Sequence, residues 1–201
     1  MKRILIVGAG GQIGSELTTY LRKIYGASNV VATDVRECGK LAEGGPFEVL
    51  NALDAKAMAS VVERYKIDAI FNLVALLSAV GEKNPQTAWN INIGALMNAL
   101  EVAREYGCAL FTPSSIGAFG PTSPKDKTPQ DTIMQPTTIY GVCKVTGELL
   151  GNYYFQRYGV DTRSVRFPGI ISNVTLPGGG TTDYAVEIYY EAIKAGRFLS
   201  L

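Results

Sequence analysis

Histidine is missing from all 201 residues. That absence removes a Ser-His-Asp triad and every histidine-ligated metal from consideration, so proton transfer falls to tyrosine, lysine or a carboxylate. Cysteine is scarce. Cys38, Cys108 and Cys143 are scattered and odd in number, which suggests neither a disulfide framework nor a zinc site. No apolar run reaches membrane length, and glycines cut the apolar start short before it can resemble a signal sequence. Charge of either sign is not in excess: the net value of +1 predicts no special affinity for nucleic acid or anionic membrane. A reducing, cytoplasmic setting is the expectation these absences leave.

What is present is an ordinary globular composition, 47% hydrophobic, long enough for one domain with a large core. Strand-like segments at 4–7, 29–33, 47–50, 68–74, 108–112 and 161–166 alternate with helical patterns at 12–25, 54–65, 85–105, 139–158 and 183–194. Residues 38–46 and 177–182 read as glycine-rich loops, and 113–138 as a long polar loop that forms part of a site. The alternation predicts an α/β fold, a doubly wound parallel sheet with helices on both faces. The 85–105 helix carries two apolar stripes, one through Trp89, Ile93, Leu96 and Leu100, the other through Ile91, Ala95 and Val102. Two stripes predict two contacts, with the sheet and with a partner subunit, or else a deeply buried helix in a monomer.

The first strand ends in glycines. Gly8, Gly11 and Gly14 suit a tight turn, a backbone bared to a pyrophosphate, and a helix packed close to its strand. Asp34 stands 20 residues past Gly14, at the end of the second strand, where a carboxylate bonds adenosine ribose hydroxyls. Its charge repels a 2′-phosphate, favouring NAD over NADP. Arg36 could accept that phosphate, but Asp34 is the stronger signal. Asp54 could meet the adenine amino group or could simply cap a helix.

Tyr140 and Lys144, four positions apart on a helix, share one face. An ammonium beside a phenol favours the phenolate and lowers its pKa, making a base for a substrate hydroxyl. Ser114 and Ser115 follow the fifth strand, where a hydroxyl can orient the reacting oxygen. Cys143 reads as a small packing residue.

In combination these motifs resemble the extended short-chain dehydrogenase/reductase family, in family order. They are the glycine loop, Asp34, Asn72-Leu-Val-Ala75, Ser115 in its Ser-Ser-Ile-Gly-Ala-Phe-Gly run, Tyr140xxxLys144 and Arg166-Phe-Pro-Gly169. The resemblance implies a Rossmann domain over 1–201, with 177–201 the start of a substrate-binding part. It implies a catalytic set of Ser115, Tyr140 and Lys144. It also implies that Leu73, Ala75 and Ile170 line the nicotinamide end, and that Gln12, Ile13, Val35 and Leu53 join the other cofactor contacts. Within the family, Leu76-Leu-Ser-Ala79, Phe119-Gly-Pro121 and the 180–188 segment resemble the branch that oxidises L-threonine. That implies substrate contacts from Ser78, Ser115 and Tyr140, and from Thr181 or Thr182 at the start of a helix. It also implies a homodimer formed through the 85–105 and 139–158 helices. A sugar-nucleotide epimerase or dehydratase and a non-catalytic NAD-binding module are the alternatives. Family members run longer than this chain, so retained NAD binding with weak or no turnover is the expectation.

Overall fold

The computed structural model describes residues 2–171 and 183–198. The expected glycine-rich loop at 177–182, with Thr181 and Thr182, lies outside them. Strands β1 (Ile4–Val7), β2 (Val30–Asp34), β3 (Phe47–Val49), β4 (Ala69–Asn72) and β5 (Ala109–Phe111) follow the sequence pattern. A short pair follows, β6 (Ser114–Ser115) with β8 (Arg166–Phe167), and between them in sequence lies β7 (Thr162–Arg163). Six strands form one parallel sheet in the order β3-β2-β1-β4-β5-β7, and β6 and β8 make a second, two-stranded parallel sheet. The order reverses between β1 and β4, which opens a crevice at the carboxyl ends of those strands.

The helices are α1 (Gln12–Tyr25), α2 (Gly39–Glu43), α3 (Ala55–Tyr65), α4 (Ser78–Lys83), α5 (Pro85–Tyr106), α6 (Ile139–Tyr158) and α7 (Tyr184–Ala195). Alternation along the strands splits the core in two. Leu5, Val7, Val31 and Ile70 point to the face covered by α3, α5 and α6. Ile4, Ile6, Val30 and Ala32 point to the face covered by α1 and α2. Helix starts match their caps: Asp54 Oδ1 accepts from Ala57 N at 2.9 Å, and Thr138 Oγ1 from Gly141 N at 3.0 Å. Each such cap contributes about 1 kcal/mol. Among the described residues no helix is long and apolar enough to cross a membrane.

Several elements differ from the sequence pattern, each for a physical reason. Residues 38–46 are not all loop: Leu41 is buried, and the guanidinium of Arg22 binds the carbonyls of Leu41 and Pro46, which winds Gly39–Glu43 into a short helix. The expected sixth strand, 161–166, is broken between Arg163 and Arg166, so its first half pairs with β5 and its second with β6. Helix α4 was not foreseen. It is a six-residue helix with Ser78 at its start, too short to show a period. Part of the second apolar stripe of α5 meets its own chain: Ala95 and Val102 are buried in the same core as Met58, Val61 and Val62 of α3, while Ile91 is half-buried. Trp89 of α5 is exposed, as are Val142, Leu149 and Tyr153 of α6, while Val145 is half-buried.

Candidate active site

The crevice holds a cleft of about 550 Å³. Its floor at one end is the turn after β1. Gly8 sits there at φ +84°, a left-handed conformation open to glycine at little cost. Gly14 begins the close approach of α1: a Cβ on it would stand 2.4 Å from the Gly8 carbonyl oxygen. Gly11 faces the cleft, where a Cβ would meet nothing nearer than that same oxygen at 3.4 Å. Gln12 and Ile13 line the cleft too, and Gln12 Nε2 donates to the Ile170 carbonyl at 3.3 Å, joining this turn to the far wall.

Asp34 ends β2 beside the turn and is nearly buried. One carboxylate oxygen accepts from Gly10 N at 2.9 Å and the other from Arg36 N at 3.2 Å, with the Arg36 guanidinium 3.9 Å away. Gly10 was overlooked in the sequence, where it is one more glycine in a run. A Cβ there would stand 2.7 Å from Cys38 Sγ and 3.0 Å from Asp34 Oδ2. Asp34 lies outside the lining of the main cleft, as do Val35, Leu53 and Asp54. Val35 is exposed, Leu53 packs on Gly94 of α5, and Asp54 caps α3.

At the other end three side chains come together. Strand β6 delivers Ser115, whose hydroxyl accepts from Gly117 N at 3.1 Å. The first turn of α6 delivers Tyr140, and the next turn Lys144. Tyr140 can reach the Ser115 turn because residue 141 is glycine: a Cβ there would stand 2.2 Å from the Gly117 carbonyl oxygen. The Lys144 ammonium lies 5.2 Å from the Tyr140 ring centre and donates to the Pro113 carbonyl at 2.7 Å. Leu73, Ala75, Ser78 and Ile170 line the same cleft, and so does the buried Asp183. Asn92 of α5 holds the wall in place. Its side-chain amide exchanges two hydrogen bonds with the backbone of Leu76, an asparagine role that a buried apolar helix pattern conceals.

The electrostatics depart from the expectation at one point. Burial pushes the Tyr140 phenol above its ordinary value, and only the hydrogen bond with Ser115 pulls it down. The expected depression by Lys144 does not appear: desolvation lowers the lysine itself, to about 8, and its ammonium is turned toward Pro113. Cys143 is buried, and burial pushes its thiol up, which fits packing. Among the described residues no group of three His, Cys, Asp or Glu side chains could hold a metal ion.

The turn suits a dinucleotide on its own geometry. The bare backbone at Gly11 and the start of α1 present N–H groups of the kind that suit phosphates, and the Asp34 carboxylate closes the turn behind them.

Comparison with known proteins agrees. The family model described as "NAD dependent epimerase/dehydratase family" matches residues 4–197. An uncharacterized epimerase/dehydratase of Staphylococcus haemolyticus is 60% identical over all of this chain and 64% of its own length. The L-threonine dehydrogenase of Clostridium difficile superposes with a TM-score of 0.94 at 56% identity, covering 100% of this chain and 63% of that one. A monomeric L-threonine 3-dehydrogenase from a metagenome superposes at 0.91 with 43% identity, covering 96% and 62%. The chain thus spans less than two thirds of the length of these relatives.

Proposed function

Because the chain belongs to the NAD dependent epimerase/dehydratase family, we propose that it forms the nucleotide-binding part of an oxidoreductase that converts L-threonine to 2-amino-3-oxobutyrate. NAD is the cofactor of the family, and when bound it supplies the hydride acceptor. The turn at Gly8, Gly11 and Gly14 would hold its phosphates, Asp34 its adenosine ribose and Lys144 the ribose nearer the reacting carbon. Ser115 bonds the C3 hydroxyl of threonine and Tyr140 takes its proton. Ser78 lies where it can contact the amino acid. The observation that carries this reading is the convergence of Ser115, Tyr140 and Lys144 in the same cleft as the glycine turn.

The description of the Staphylococcus haemolyticus relative favours a second reading, conversion of a sugar nucleotide by the same three residues. The two differ in electron balance. Threonine oxidation accumulates NADH, whereas epimerisation returns the hydride and leaves none. Purified protein with NAD is therefore given L-threonine or UDP-galactose, with Tyr140→Phe as control. NADH formed from threonine and lost in the variant supports the first reading. Sugar conversion without net NADH contradicts it. Retained NAD binding with little turnover is expected of the 201-residue chain, and the same assay on a chain of the relatives' length checks the reaction.

A homodimer through α6 belongs to this proposal. Val142, Leu149 and Tyr153 are 38%, 61% and 51% exposed along that helix, an apolar face that a two-fold contact would cover. Light scattering at micromolar concentration should report twice the chain mass, and a monomer rejects this part.

A further inference from the structure

Tyr140 and Lys144 continue along α6 to Glu148, four positions on, so all three share one face. Glu148 is 15% exposed at its side chain, as is its partner Arg166 of β8. The pair is bidentate, with Arg166 Nε at 2.9 Å from one carboxylate oxygen and Nη2 at 2.7 Å from the other. Ser114 Oγ donates to the first of these oxygens at 2.5 Å. Arg166 goes on to donate from Nη1 to the Gln130 carbonyl at 2.9 Å and lies over the Phe119 ring at 5.2 Å. In the short sheet Ser114 pairs with Arg166 and Ser115 with Phe167.

One ion pair therefore ties together four separate pieces of the reacting end. They are the helix that carries Tyr140 and Lys144, the strand that carries Ser115, the strand that leads to Ile170, and the long polar loop. The polar loop runs from β6 into α6, but its length leaves the spacing of strand and helix open. The ladder of β6 with β8 sets the register of those two strands, but among the described residues no ladder reaches α6 or the polar loop, so their placement against the strands falls to side chains. Resting on the reading of Ser115, Tyr140 and Lys144 as the reacting set, we propose that Glu148 and Arg166 are positioning residues. Acting through Ser114, they set where Ser115 stands relative to the Tyr140 phenol.

A charge pair at this place suits the task better than an apolar contact. Two parallel charge-assisted bonds fix direction as well as distance, and the third acceptor position on the carboxylate selects the Ser114 hydroxyl. The same carboxylate borders a void of about 20 Å³ shared with Lys144, Ser114 and Asn72, whose buried Oδ1 has no hydrogen-bond partner among the described residues. Polar groups meet here against an apolar wall of Val74, Ala75 and Leu96, so the removal of one partner leaves another uncompensated.

The test reads the phenol directly, without turnover. In protein labelled with carbon-13 at tyrosine Cζ, the Tyr140 resonance is assigned by its loss in Tyr140→Phe. Ser115→Ala displaces it by removing the hydroxyl, and that displacement sets the scale. Ser114→Ala and Glu148→Gln, which leave Ser115 in the sequence, are expected to reproduce most of the displacement. Glu101→Gln serves as the structural control. It takes the charge from the acceptor of the Tyr154 hydroxyl, toward the other end of α6, and should lower the melting temperature while the Tyr140 resonance stays put. Should Glu148→Gln fail to fold, Ser114→Ala alone carries the reading. A wild-type Tyr140 resonance in the folded Ser114→Ala protein overturns the proposal, as does a resonance that Ser115→Ala does not move. Loss of the function reading is seen separately, as failure of the wild-type protein to bind NAD.

Discussion

The turn end of the cleft is held by backbone drawn from one continuous βαβ stretch, through Gly8, Gly14, Gly10 and Asp34. The reacting end is assembled from Ser114, Ser115, Tyr140, Lys144, Glu148 and Arg166, which reach it from two strands and a helix separated by a long loop. At the turn the shape is set by backbone, and a single added carbon at Gly14 would stand 2.4 Å from the Gly8 carbonyl oxygen. At the reacting end, selectivity depends on side-chain placement, and a substitution can leave the cleft intact while removing the chemistry. The contrast predicts that binding and turnover are separable by mutation.

The largest effect expected is at the reacting end. In a chain of the relatives' length, Tyr140→Phe should reduce threonine-dependent NADH formation by about 10²–10⁴-fold, the range for loss of a general acid–base group, while NADH binding followed by fluorescence stays near wild type. Equal loss of binding would erase the contrast.

At the turn, Gly14→Ala forces a Cβ to within 2.4 Å of a backbone oxygen that cannot move without moving β1. Overpacking of this kind costs about 1–3 kcal/mol, so thermal unfolding should shift downward and NAD affinity should fall with it.

Lys144 probes the reacting end through pH. Its folded-state pKa is lowered, to about 8 against an ordinary 10.5, so the folded protein disfavours the charged form. Below pH 8 that cost is fully present. As pH rises from 8 toward 10.5 the unfolded chain binds more protons than the folded one, and stability rises. The stability difference between wild type and Lys144→Met should therefore move in favour of wild type across that window, in denaturant titrations at fixed ionic strength. A flat difference would show that the ammonium is not desolvated.

The smallest effect belongs to Asp34→Asn. It keeps the acceptor for Gly10 N but removes the charge, so NAD should bind slightly less well and NADPH measurably better, narrowing the preference seen in competition titrations. An unchanged preference would pass the discrimination to Arg36.

Legibility in the sequence follows the same division. The turn could be read because its spacing is local: a strand, three glycines, a helix and an acid at fixed distances leave few other structures. Tyr140 and Lys144 could be read because a helix converts a spacing of four into a shared face. The same rule points on to Glu148, but its partner Arg166 lies beyond the helix, and only the broken sixth strand brings the two together. The direction of the Tyr140 shift was also out of reach, because burial outweighs a neighbouring charge only once the depth of the cleft is known. Likewise α5 showed two apolar stripes, and the sequence did not say that Ala95 and Val102 would pack in one core with α3.

The central claim is that one cleft joins a backbone-built nucleotide site to a side-chain-built reacting set. It is tested most directly by calorimetric titration of NAD into wild type, Gly14→Ala and Tyr140→Phe proteins at equal concentration. Saturable single-site binding to wild type and Tyr140→Phe, with binding lost or strongly weakened in Gly14→Ala, is the predicted result. Absence of binding to the wild-type chain, or equal affinity in all three proteins, would contradict it.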